Sequence, residues 1–238
     1  MQLSIVIPVY NEGENIRQLV DEIVASMDGQ AEYEVIVVDD ASSDDTLAVL
    51  VEARGTYTQL RVLCHRQRCG QSTAVATGVE AAVAPWIATL DGDGQNDPAD
   101  IPKLYHAIHG AEDGVLLIAG YRRKRNDTWL KRFSSRLANS VRGYLLKDNT
   151  PDTGCGLKVF SRETFLSLPR FDHMHRFLPA LVQRQGGKIL SVEVNHRPRL
   201  KGKSKYGVHN RLWVGIVDML GVMWLQRRAR LPVVVEPE

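Results

Sequence analysis

The chain has 238 residues, of which 44% are hydrophobic and 24% are charged. This ordinary globular composition allows one sizeable core, so one large α/β domain with an appendage is predicted. The net charge of +2 conceals an asymmetry, because residues 1–121 contain 6 Lys+Arg and 19 Asp+Glu, whereas residues 122–238 contain 24 and 9. The second half is expected to attract phosphate groups or an anionic membrane surface. Nucleic acid is not a predicted partner, because the sequence contains no recognisable RNA-binding or DNA-binding motif.

The cysteine pattern and the first residues bear on the compartment. Cys64, Cys69 and Cys155 are odd in number and include no CxxC pair, so a disulfide framework is disfavoured and a reducing cytoplasm is predicted. No metal site is assigned to Cys64 and its neighbour His65, because isolated thiols packed near a strand end explain them. The first two residues lead directly into a predicted strand, without a basic segment or a cleavage site, so no signal peptide is indicated. The chain is therefore expected to face the cytoplasm.

The first third of the chain alternates between predicted strands and helices. An apolar, β-branched strand from Leu3 to Tyr10 precedes a helical pattern whose apolar residues are Ile16, Leu19, Val20, Ile23 and Val24. A second strand, from Tyr33 to Val38, ends in two acids, and residues 42–45 offer N-cap chemistry to a helix that carries Leu47, Val49 and Leu50. There follow a strand from Leu60 to Cys64, a helix from about Gly70 to Ala82, and a strand at Trp86. This alternation predicts a mostly parallel, Rossmann-like open sheet with helices on both faces.

The strand at Trp86 stops abruptly at two carboxylates, Asp91 and Asp93, which are spaced i, i+2. The apolar run before them suits a strand that is covered on both faces, and the neighbouring glycines allow both acids to converge on one cation. Carboxylate and amide oxygens suit Mg²⁺ or Mn²⁺, which commonly bridge protein acids and a substrate diphosphate. For an isolated Asp-Gly-Asp, a solvated turn is the alternative.

Three predicted strands carry polar residues at their carboxyl ends: residues 8–12, Asp39 with Asp40, and Asp91 with Asp93. In open sheets of this kind, ligands bind outside these ends. A dinucleotide fingerprint, G-x-G-x-x-G, would have to follow the first strand, and residues 8–13 do not provide one. The sequence therefore disfavours NAD-dependent redox chemistry.

After Tyr121 the chain becomes basic without a clear linker. A helix is predicted from about Trp129 to Leu146, and its basic residues are Lys131, Arg132, Arg136 and Arg142. A Gly-rich turn over residues 150–158 leads into Val159 and Phe160, and a further strand is predicted from Ile189 to Val194. The Gly and Lys density of residues 195–207 predicts a mobile anion-binding loop.

The last predicted helix, Leu212 to Leu225, is apolar except for Asp218. Its length of roughly 21 Å falls short of the roughly 30 Å hydrocarbon core, so a membrane span is not predicted. One face carries Trp213, Ile216, Val217, Leu220 and Trp224, and the flanking arginines are Arg211, Arg227, Arg228 and Arg230. This composition favours an amphipathic helix in a bilayer interface, and packing on the domain or another subunit is the alternative.

Three motifs, residues 7–12, 37–46 and 90–98, occur in an order that resembles family 2 glycosyltransferases of the GT-A fold. Residues 152–160 and 196–207 resemble the dolichol-phosphate mannosyltransferase branch, which transfers sugars to polyprenyl phosphates. The resemblance runs from about residue 3 to 210. It implies a GT-A domain over 1–208, with a nucleotide-sugar-binding half at 1–121 and an acceptor-binding half at 122–208. Residues 209–238 then form the membrane-interface or packing helix and a tail.

The resemblance implies a role for each matching residue. Residues that line the nucleotide pocket or contact the base or ribose are Pro8, Tyr10, Glu12, Asp39, Asp40 and Asp91. The metal, Mg²⁺ or Mn²⁺, would be held by Asp91, Asp93 and Gln95. The acceptor phosphate or the sugar diphosphate would face Arg122, Lys131, Arg197, Ser204 and Lys205. For Asp39 and Asp40 the alternative is helix capping, and for each basic residue it is a solvated surface charge.

The sequence departs from the family pattern at two places. Many relatives carry transmembrane helices after the catalytic domain, where this chain has only the short segment from Leu212 to Leu225. Gln67 also stands where relatives often have Asn.

Three residues, Asp93, Arg122 and Asp152, are predicted to be catalytic. A lipid monophosphate acceptor is already anionic near neutral pH, so basic residues position it and no strong base is needed. A hydroxyl acceptor needs a carboxylate to take its proton, and Asp152 is the candidate by its motif position, with a turn residue after Pro151 as the alternative. One displacement at the anomeric carbon inverts its configuration.

The predicted function is therefore metal-dependent, inverting transfer of a sugar from GDP-mannose or a UDP-sugar to a polyprenyl phosphate. The enzyme would lie peripherally on the cytoplasmic face of the cell membrane, and a homo-oligomer is left open. Transfer to a sugar or lipid hydroxyl is the first alternative. A nucleotidyltransferase is disfavoured by the lack of a Gly-rich phosphate loop. The intact Asp91, Asp93 and Gln95 argue against a catalytically silent membrane-associated binding protein.

Overall fold

The computed structural model describes residues 1–122, 142–148, 150–198 and 208–230, which build one sheet flanked by helices. The strands are β1 (Leu3–Val9), β2 (Tyr33–Asp39), β3 (Leu60–Cys64), β4 (Trp86–Thr89), β5 (Val115–Arg122), β6 (Lys158–Ser161) and β7 (Lys188–Val194). The helices are α1 (Gly13–Met27), α2 (Thr46–Thr56), α3 (Gln71–Ala81), α4 (Ile101–His109), α5 (Arg162–Ser167), α6 (Leu178–Arg184) and α7 (Val208–Arg227). Short 3-10 turns at Pro98–Asp100 and Met174–Arg176 precede α4 and α6.

The strands lie in the order β3-β2-β1-β4-β6-β5-β7. Neighbouring strands are parallel except that β6 runs antiparallel to both β4 and β5. The predicted mostly parallel open sheet is therefore confirmed. Because β6 is reversed, its first residue, Lys158, pairs with Thr89 at the carboxyl end of β4. The turn before β6 thus reaches the edge of the sheet where the parallel strands end.

Two apolar cores cover the two faces of the sheet. Alternate residues of β1 separate between them, since Ile5 and Ile7 face the core under α1 and α4, whereas Val6 faces the core under α3 and α6. Successive side chains of a strand point to opposite faces, so a strand covered on both sides is apolar at nearly every position. Burying each such side chain contributes about 1.5–3 kcal/mol. These cores hold the strand ends, and hence the site, in fixed positions.

Helix α7 packs one face on the second core. Val222 is fully buried there, and Met219 and Met223 pack beside it. Arg184 Nε donates to the Leu225 carbonyl at 3.0 Å, which ties α6 to the end of α7. Packing on the domain and binding in a bilayer interface are thus compatible for α7, because packing uses only one face of the helix. Among the described residues, no helix combines the length and the apolar character that crossing a membrane requires.

Several predicted elements lie outside the described residues or only partly inside them. Of the helix predicted over residues 129–146, the structure describes residues 142–146, which are helical. Of the anion-binding loop predicted over residues 195–207, it describes the first four residues. The other predicted strands and helices agree with the structure to within a few residues at their ends.

Candidate active site

The loops that follow β1 and β2 are bonded directly to each other. Asn11 N donates to Ser42 Oγ at 2.8 Å, Ser43 N donates to Asn11 Oδ1 at 2.7 Å, and Glu12 N donates to Thr46 Oγ1 at 2.9 Å. Asn11 has a left-handed backbone, with a φ of 53°, which for a residue other than glycine costs conformational energy. This strain is held in place by the bonds between the loops. The predicted nucleotide-binding residues at the two strand ends therefore form one rigid edge.

Asp39 and Asp40 are both buried, and each organises a loop. Asp39 Oδ1 accepts from Ser42 N at 3.1 Å. Asp40 accepts from the backbone N–H groups of Cys69 at 2.7 Å and Gly70 at 2.8 Å. Neither acid caps α2, because it is Asp44 that accepts from Thr46 N, at 3.1 Å. Asp40 instead holds the two residues that precede α3, and contact of Asp39 and Asp40 with a nucleotide stays a prediction.

Tyr10, at the end of β1, is covered by a basic side chain. The guanidinium of Arg68 lies 4.2 Å from the centre of the Tyr10 ring, a distance typical of a cation–π contact. Glu12, two residues later, accepts from Asn15 Nδ2 at 2.8 Å. Pro8 lines a small cavity at the same strand end, together with Asp91. The three residues predicted to line the nucleotide pocket are therefore close to the sheet edge that the acids occupy.

Asp91 is the central acid of the site. Gln71 Nε2, at the start of α3, donates to Asp91 Oδ1 at 2.8 Å, and Asp91 N donates to Asn96 Oδ1 at 3.1 Å. Burial raises the pKa of Asp91 above its usual value, and the negative charge of Asp93 raises it further. The positive charges of Lys158 and Arg122 act in the opposite direction. A half-buried carboxylate beside a second acid is therefore the dominant electrostatic feature of this site.

The turn after Asp91 depends on its glycines. A Cβ on Gly92 would lie 2.6 Å from Val9 Cγ1, and Gly94 has a φ of 72°, so both positions favour glycine. Asp93 Oδ1 accepts from Gln95 N at 3.1 Å, which closes the turn. The donor set of Asp91, Asp93 and the Gln95 amide consists only of oxygen ligands, as Mg²⁺ and Mn²⁺ prefer. A divalent cation fits this set, because it would offset the repulsion that raises the pKa of Asp91.

Arg122 and Asp152 form a nearly buried, bidentate ion pair. Arg122 Nε donates to Asp152 Oδ2 at 2.6 Å, and Arg122 Nη2 donates to Asp152 Oδ1 at 3.0 Å. The side chains are 11% and 7% exposed. The hydrogen bonds and charge of Asp152 raise the pKa of Arg122, although burial opposes this. The structure thus brings together two of the three predicted catalytic residues.

Besides Gln71, three polar residues around Asp91 were not predicted. Lys158 is buried and donates from Nζ to the Cys155 carbonyl, and burial lowers the pKa of its ammonium group. Ser72 Oγ accepts from His175 N at 3.3 Å and lies 2.7 Å from His175 Nδ1. Burial holds the pKa of His175 well below its usual value, so the ring is neutral. A lysine inside the apolar run at residues 157–160 was the only trace of this cluster in the sequence.

The predicted acceptor-binding residues have different positions. Arg197 forms ion pairs with Glu22 and, at 2.6 Å, with Asp97, so it joins the basic half of the chain to the acidic half. Its role toward a phosphate stays a prediction. Arg122 lies at the site beside Asp152. Lys131, Ser204 and Lys205 lie outside the described residues.

The comparison with protein families decides the assignment. The model described as Glycosyl transferase family 2 matches residues 4–168, which include the three strand-end motifs, Arg122 and Asp152. The chain belongs to this family. The predicted membership among the glycosyltransferases is therefore confirmed.

Two relatives of this family 2 chain have names that include a polyprenyl phosphate. It is 34% identical to the dodecaprenyl-phosphate galacturonate synthase of Rhizobium johnstonii, over 98% of this chain and 69% of that protein. It is 32% identical to the undecaprenyl-phosphate 4-deoxy-4-formamido-L-arabinose transferase of Edwardsiella ictaluri, over 87% of this chain and 63% of that protein. The chain thus spans about two thirds of the length of these relatives. The predicted resemblance to polyprenyl-phosphate glycosyltransferases is confirmed.

Solved structures confirm the predicted GT-A fold. Glucosyl-3-phosphoglycerate synthase from Mycobacterium tuberculosis, in complex with Mn²⁺, UDP and phosphoglyceric acid, superposes with a TM-score of 0.72 at 19% identity. The match covers 96% of this chain and 79% of the synthase. A structure of the same synthase with Mg²⁺ and UDP gives a TM-score of 0.71 at 18% identity. At this level of identity the likeness establishes the fold of the family 2 chain.

Proposed function

We propose that this chain transfers a sugar, with inversion, from a nucleotide-diphosphate sugar to a polyprenyl phosphate at the cytoplasmic face of the cell membrane. The names of the two relatives, one a dodecaprenyl-phosphate synthase and the other an undecaprenyl-phosphate transferase, support the acceptor class. The strand-end acids at Asp91 and Asp93 support a diphosphate donor, with GDP-mannose and the UDP-sugars as the candidates.

The observation that carries the proposal is the ion pair between Arg122 and Asp152. Both carboxylate oxygens accept from the guanidinium, so a proton transferred to Asp152 would have to displace one of these bonds. A hydroxyl acceptor needs such a base, whereas a phosphate monoester already carries its negative charge. Arg122 lies close enough to Asp91 to affect its pKa, so its positive charge acts at the reacting end of the site. This arrangement favours an anionic acceptor over a hydroxyl.

The donor end of the site fits a divalent cation. Asp91, Asp93 and Gln95 would hold it, and when bound it neutralises charge that develops on the departing diphosphate. Gln71 keeps the Asp91 carboxylate oriented by its 2.8 Å hydrogen bond. The bonds between the loops after β1 and β2 keep Tyr10 and Glu12 at the same edge. These hydrogen bonds would hold the donor-binding residues in place before a donor binds.

Helix α7 supplies a surface for the membrane that carries the acceptor. We call the residues Val214, Val217, Leu220 and Trp224 the exposed stripe; they recur every three or four residues and are 40–66% exposed. Arg227, Arg228 and Arg230 follow the stripe. An apolar helix face that ends in arginines suits an interface with anionic lipid, where each arginine contributes about 1 kcal/mol. The stripe would bind the bilayer surface while the opposite face of α7 stays on the core.

The acceptor class is tested by supplying two acceptors side by side. Purified protein with Mn²⁺ is incubated with radiolabelled GDP- and UDP-sugars and either a polyprenyl phosphate or the corresponding polyprenol. We expect organic-extractable label with the phosphate alone. Label on the polyprenol or on a free sugar instead would reject the phosphate acceptor, and the absence of both transfer and donor hydrolysis would favour a silent binding protein.

The membrane surface has its own test. The double substitution Leu220→Ser with Trp224→Ser is expected to abolish cosedimentation with anionic liposomes and to leave the unfolding midpoint nearly unchanged. Val83→Ser serves as the control, because Val83 is 66% exposed and lies elsewhere on the surface. Undiminished liposome binding by the double variant, or self-association of the wild type through the stripe, would contradict membrane docking.

A further inference from the structure

Three metal-ligating side chains of different chemistry meet at one point at the carboxyl edge of the sheet, on the face that α3 covers. Asp40 follows β2, His65 follows β3, and Cys69 lies in the loop that leads to α3. Their candidate ligand atoms, a carboxylate oxygen, an imidazole nitrogen and a thiol sulfur, all lie within 4.8 Å of one another. We propose that Asp40, His65 and Cys69 form a zinc site with three protein ligands and an open fourth position. Cys64, which precedes His65, is not part of this group.

The carboxylate and the loop around it are already held for this arrangement. Asp40 accepts from Cys69 N and Gly70 N, so the same acid that would bind the metal also brings the Cys69 residue to His65. Gly70 has a φ of 90°, a conformation that glycine adopts most easily. The loop therefore turns sharply at the position where the thiol must face the imidazole.

The imidazole has an outer partner that suits metal binding. His65 Nδ1 lies 2.8 Å from Asp40 Oδ1, and His65 Nε2 lies 3.0 Å from Thr77 Oγ1 on α3. When Nε2 carries the proton and donates to Thr77, Nδ1 has a free electron pair for a cation. Ligating histidines almost always donate their second N–H to an acceptor that fixes the ring, usually a carboxylate, a backbone carbonyl or water, and here the Thr77 hydroxyl would take that place. Thr77 thus has the role of an outer-shell residue in this site.

The movements needed to admit zinc are small. With Zn–N and Zn–O bonds of about 2.0–2.1 Å, a tetrahedral ion holds two such ligands roughly 3.3 Å apart, so the imidazole and the carboxylate must separate by roughly 0.5 Å. Cys69 is exposed, and its thiol is engaged by the Gln67 carbonyl at 3.2 Å, which rotation about χ1 releases. A thiolate and a carboxylate together balance the two positive charges of the ion.

The ligand type separates this site from the one at Asp91 and Asp93. Thiolate and imidazole select zinc, whereas an oxygen-only set suits Mg²⁺ and Mn²⁺. Both sites lie at the carboxyl edge of the sheet. Asp40 is also a predicted nucleotide ligand, so zinc bound there is expected to weaken donor binding; this consequence, unlike the zinc site itself, rests on the proposed function.

The test measures metal binding without any need for activity. The full chain is freed of metal with a chelator and titrated with Co²⁺ in excess Mg²⁺, and thiolate-to-cobalt charge-transfer absorption is recorded; Zn²⁺ affinity follows from displacement of the cobalt. We expect the absorption in the wild type and in Cys64→Ser. Cys69→Ser should lose it, and His65→Gln should bind Zn²⁺ more than tenfold more weakly. Thr77→Val should weaken Zn²⁺ binding by about 10–100-fold.

The outcomes distinguish the zinc site from the proposed function. The zinc site is refuted if the wild type shows no charge-transfer absorption. It is also refuted if Cys64→Ser loses as much of this absorption as Cys69→Ser does. Thermal unfolding of each variant in chelator verifies that a loss of binding is not a loss of fold. Cobalt absorption in a chain that transfers no sugar supports the site and refutes the proposed function instead. Sugar transfer that proceeds unchanged with zinc bound overturns the inferred effect on the donor.

Discussion

Gly156, in the turn before β6, is a position where one methyl group should sharply lower activity. A Cβ at this residue would lie 2.3 Å from Asp91 Oδ2 and 2.6 Å from Asp91 Oδ1. Real Cβ atoms essentially never approach other heavy atoms within 3.0 Å, so in Gly156→Ala the carboxylate must retreat by about 0.7 Å. That shift is large enough to break the 2.8 Å hydrogen bond from Gln71. Under the proposed function, the acid would then be displaced from its position toward the donor diphosphate.

We expect Gly156→Ala to lower kcat on the order of 100-fold, the loss that a displacement of about 1 Å at a reacting group typically causes. Overpacking should also lower the free energy of unfolding by about 1–3 kcal/mol. The assays are sugar transfer to polyprenyl phosphate and urea denaturation. Gly154→Ala is the matched control, because a Cβ there meets Arg122 Nη2 at 3.4 Å, an ordinary contact. Wild-type transfer by Gly156→Ala, or an equal loss in Gly154→Ala, would refute the steric argument.

Three further predictions concern charge. Arg122→Met leaves buried Asp152 without its guanidinium partner and should lower the free energy of unfolding, measured by urea denaturation, by about 3–5 kcal/mol. Arg170→Met is the control, because it breaks an ion pair with Glu80 on the surface and should lower that free energy by less than about 1 kcal/mol. Equal losses in the two variants would contradict this prediction. Asp91→Asn removes a negative charge that burial and the neighbouring Asp93 disfavour. In the absence of divalent cations, this variant should therefore have a higher melting temperature than the wild type, although it should lose sugar transfer. A lower melting temperature would count against Asp91 as a metal-binding acid. Because burial holds the pKa of His175 well below 6.5, the unfolded chain takes up a proton that the folded protein does not. Stability should therefore be complete above pH 6.5 and decline below it by at most about 1.4 kcal/mol per pH unit, with a flatter decline in His175→Asn; an identical decline would exclude this role.

The sheet and its donor edge could be predicted because they depend on local pattern. Strands β1, β2 and β4 are buried on both faces, so each is an apolar run, and the polar residues that interrupt it mark the strand end. Parallel strands end at the same edge of a sheet, which placed Asp39 and Asp91 together without any knowledge of their contacts.

The remaining parts of the site depend on contacts between distant segments. Gln71 and His175 belong to elements on the second face of the sheet, and only the packing of that face brings Gln71 into contact with Asp91 and His175 into the same cavity. Neither residue lies in a motif of its own. The reversal of β6 was equally invisible, because four residues do not reveal the direction in which a strand pairs.

The excess of positive charge in the second half of the chain did not predict the role of each basic residue in it. Arg197 lies in a basic loop, and the sequence predicted that it faces a phosphate. The structure pairs it with Glu22 and Asp97 of the acidic half. Part of the excess positive charge therefore holds the two halves of the chain together, a use that counting charges does not distinguish from ligand binding.

The antiparallel direction of β6 also affects the order in which the site can form during translation. Thr89 Oγ1 donates to the Gly156 carbonyl across 67 residues of sequence, and the wall that closes around Asp91 comes from that later segment. During translation the earlier strands emerge first and can pair among themselves, because their contacts are comparatively local. A chain that stalls on the ribosome before β6 therefore has the acid motif but not its enclosure. If Asp152 acts in the proposed transfer, a chain becomes able to use a donor only after the segment that bears Asp152 has been synthesised.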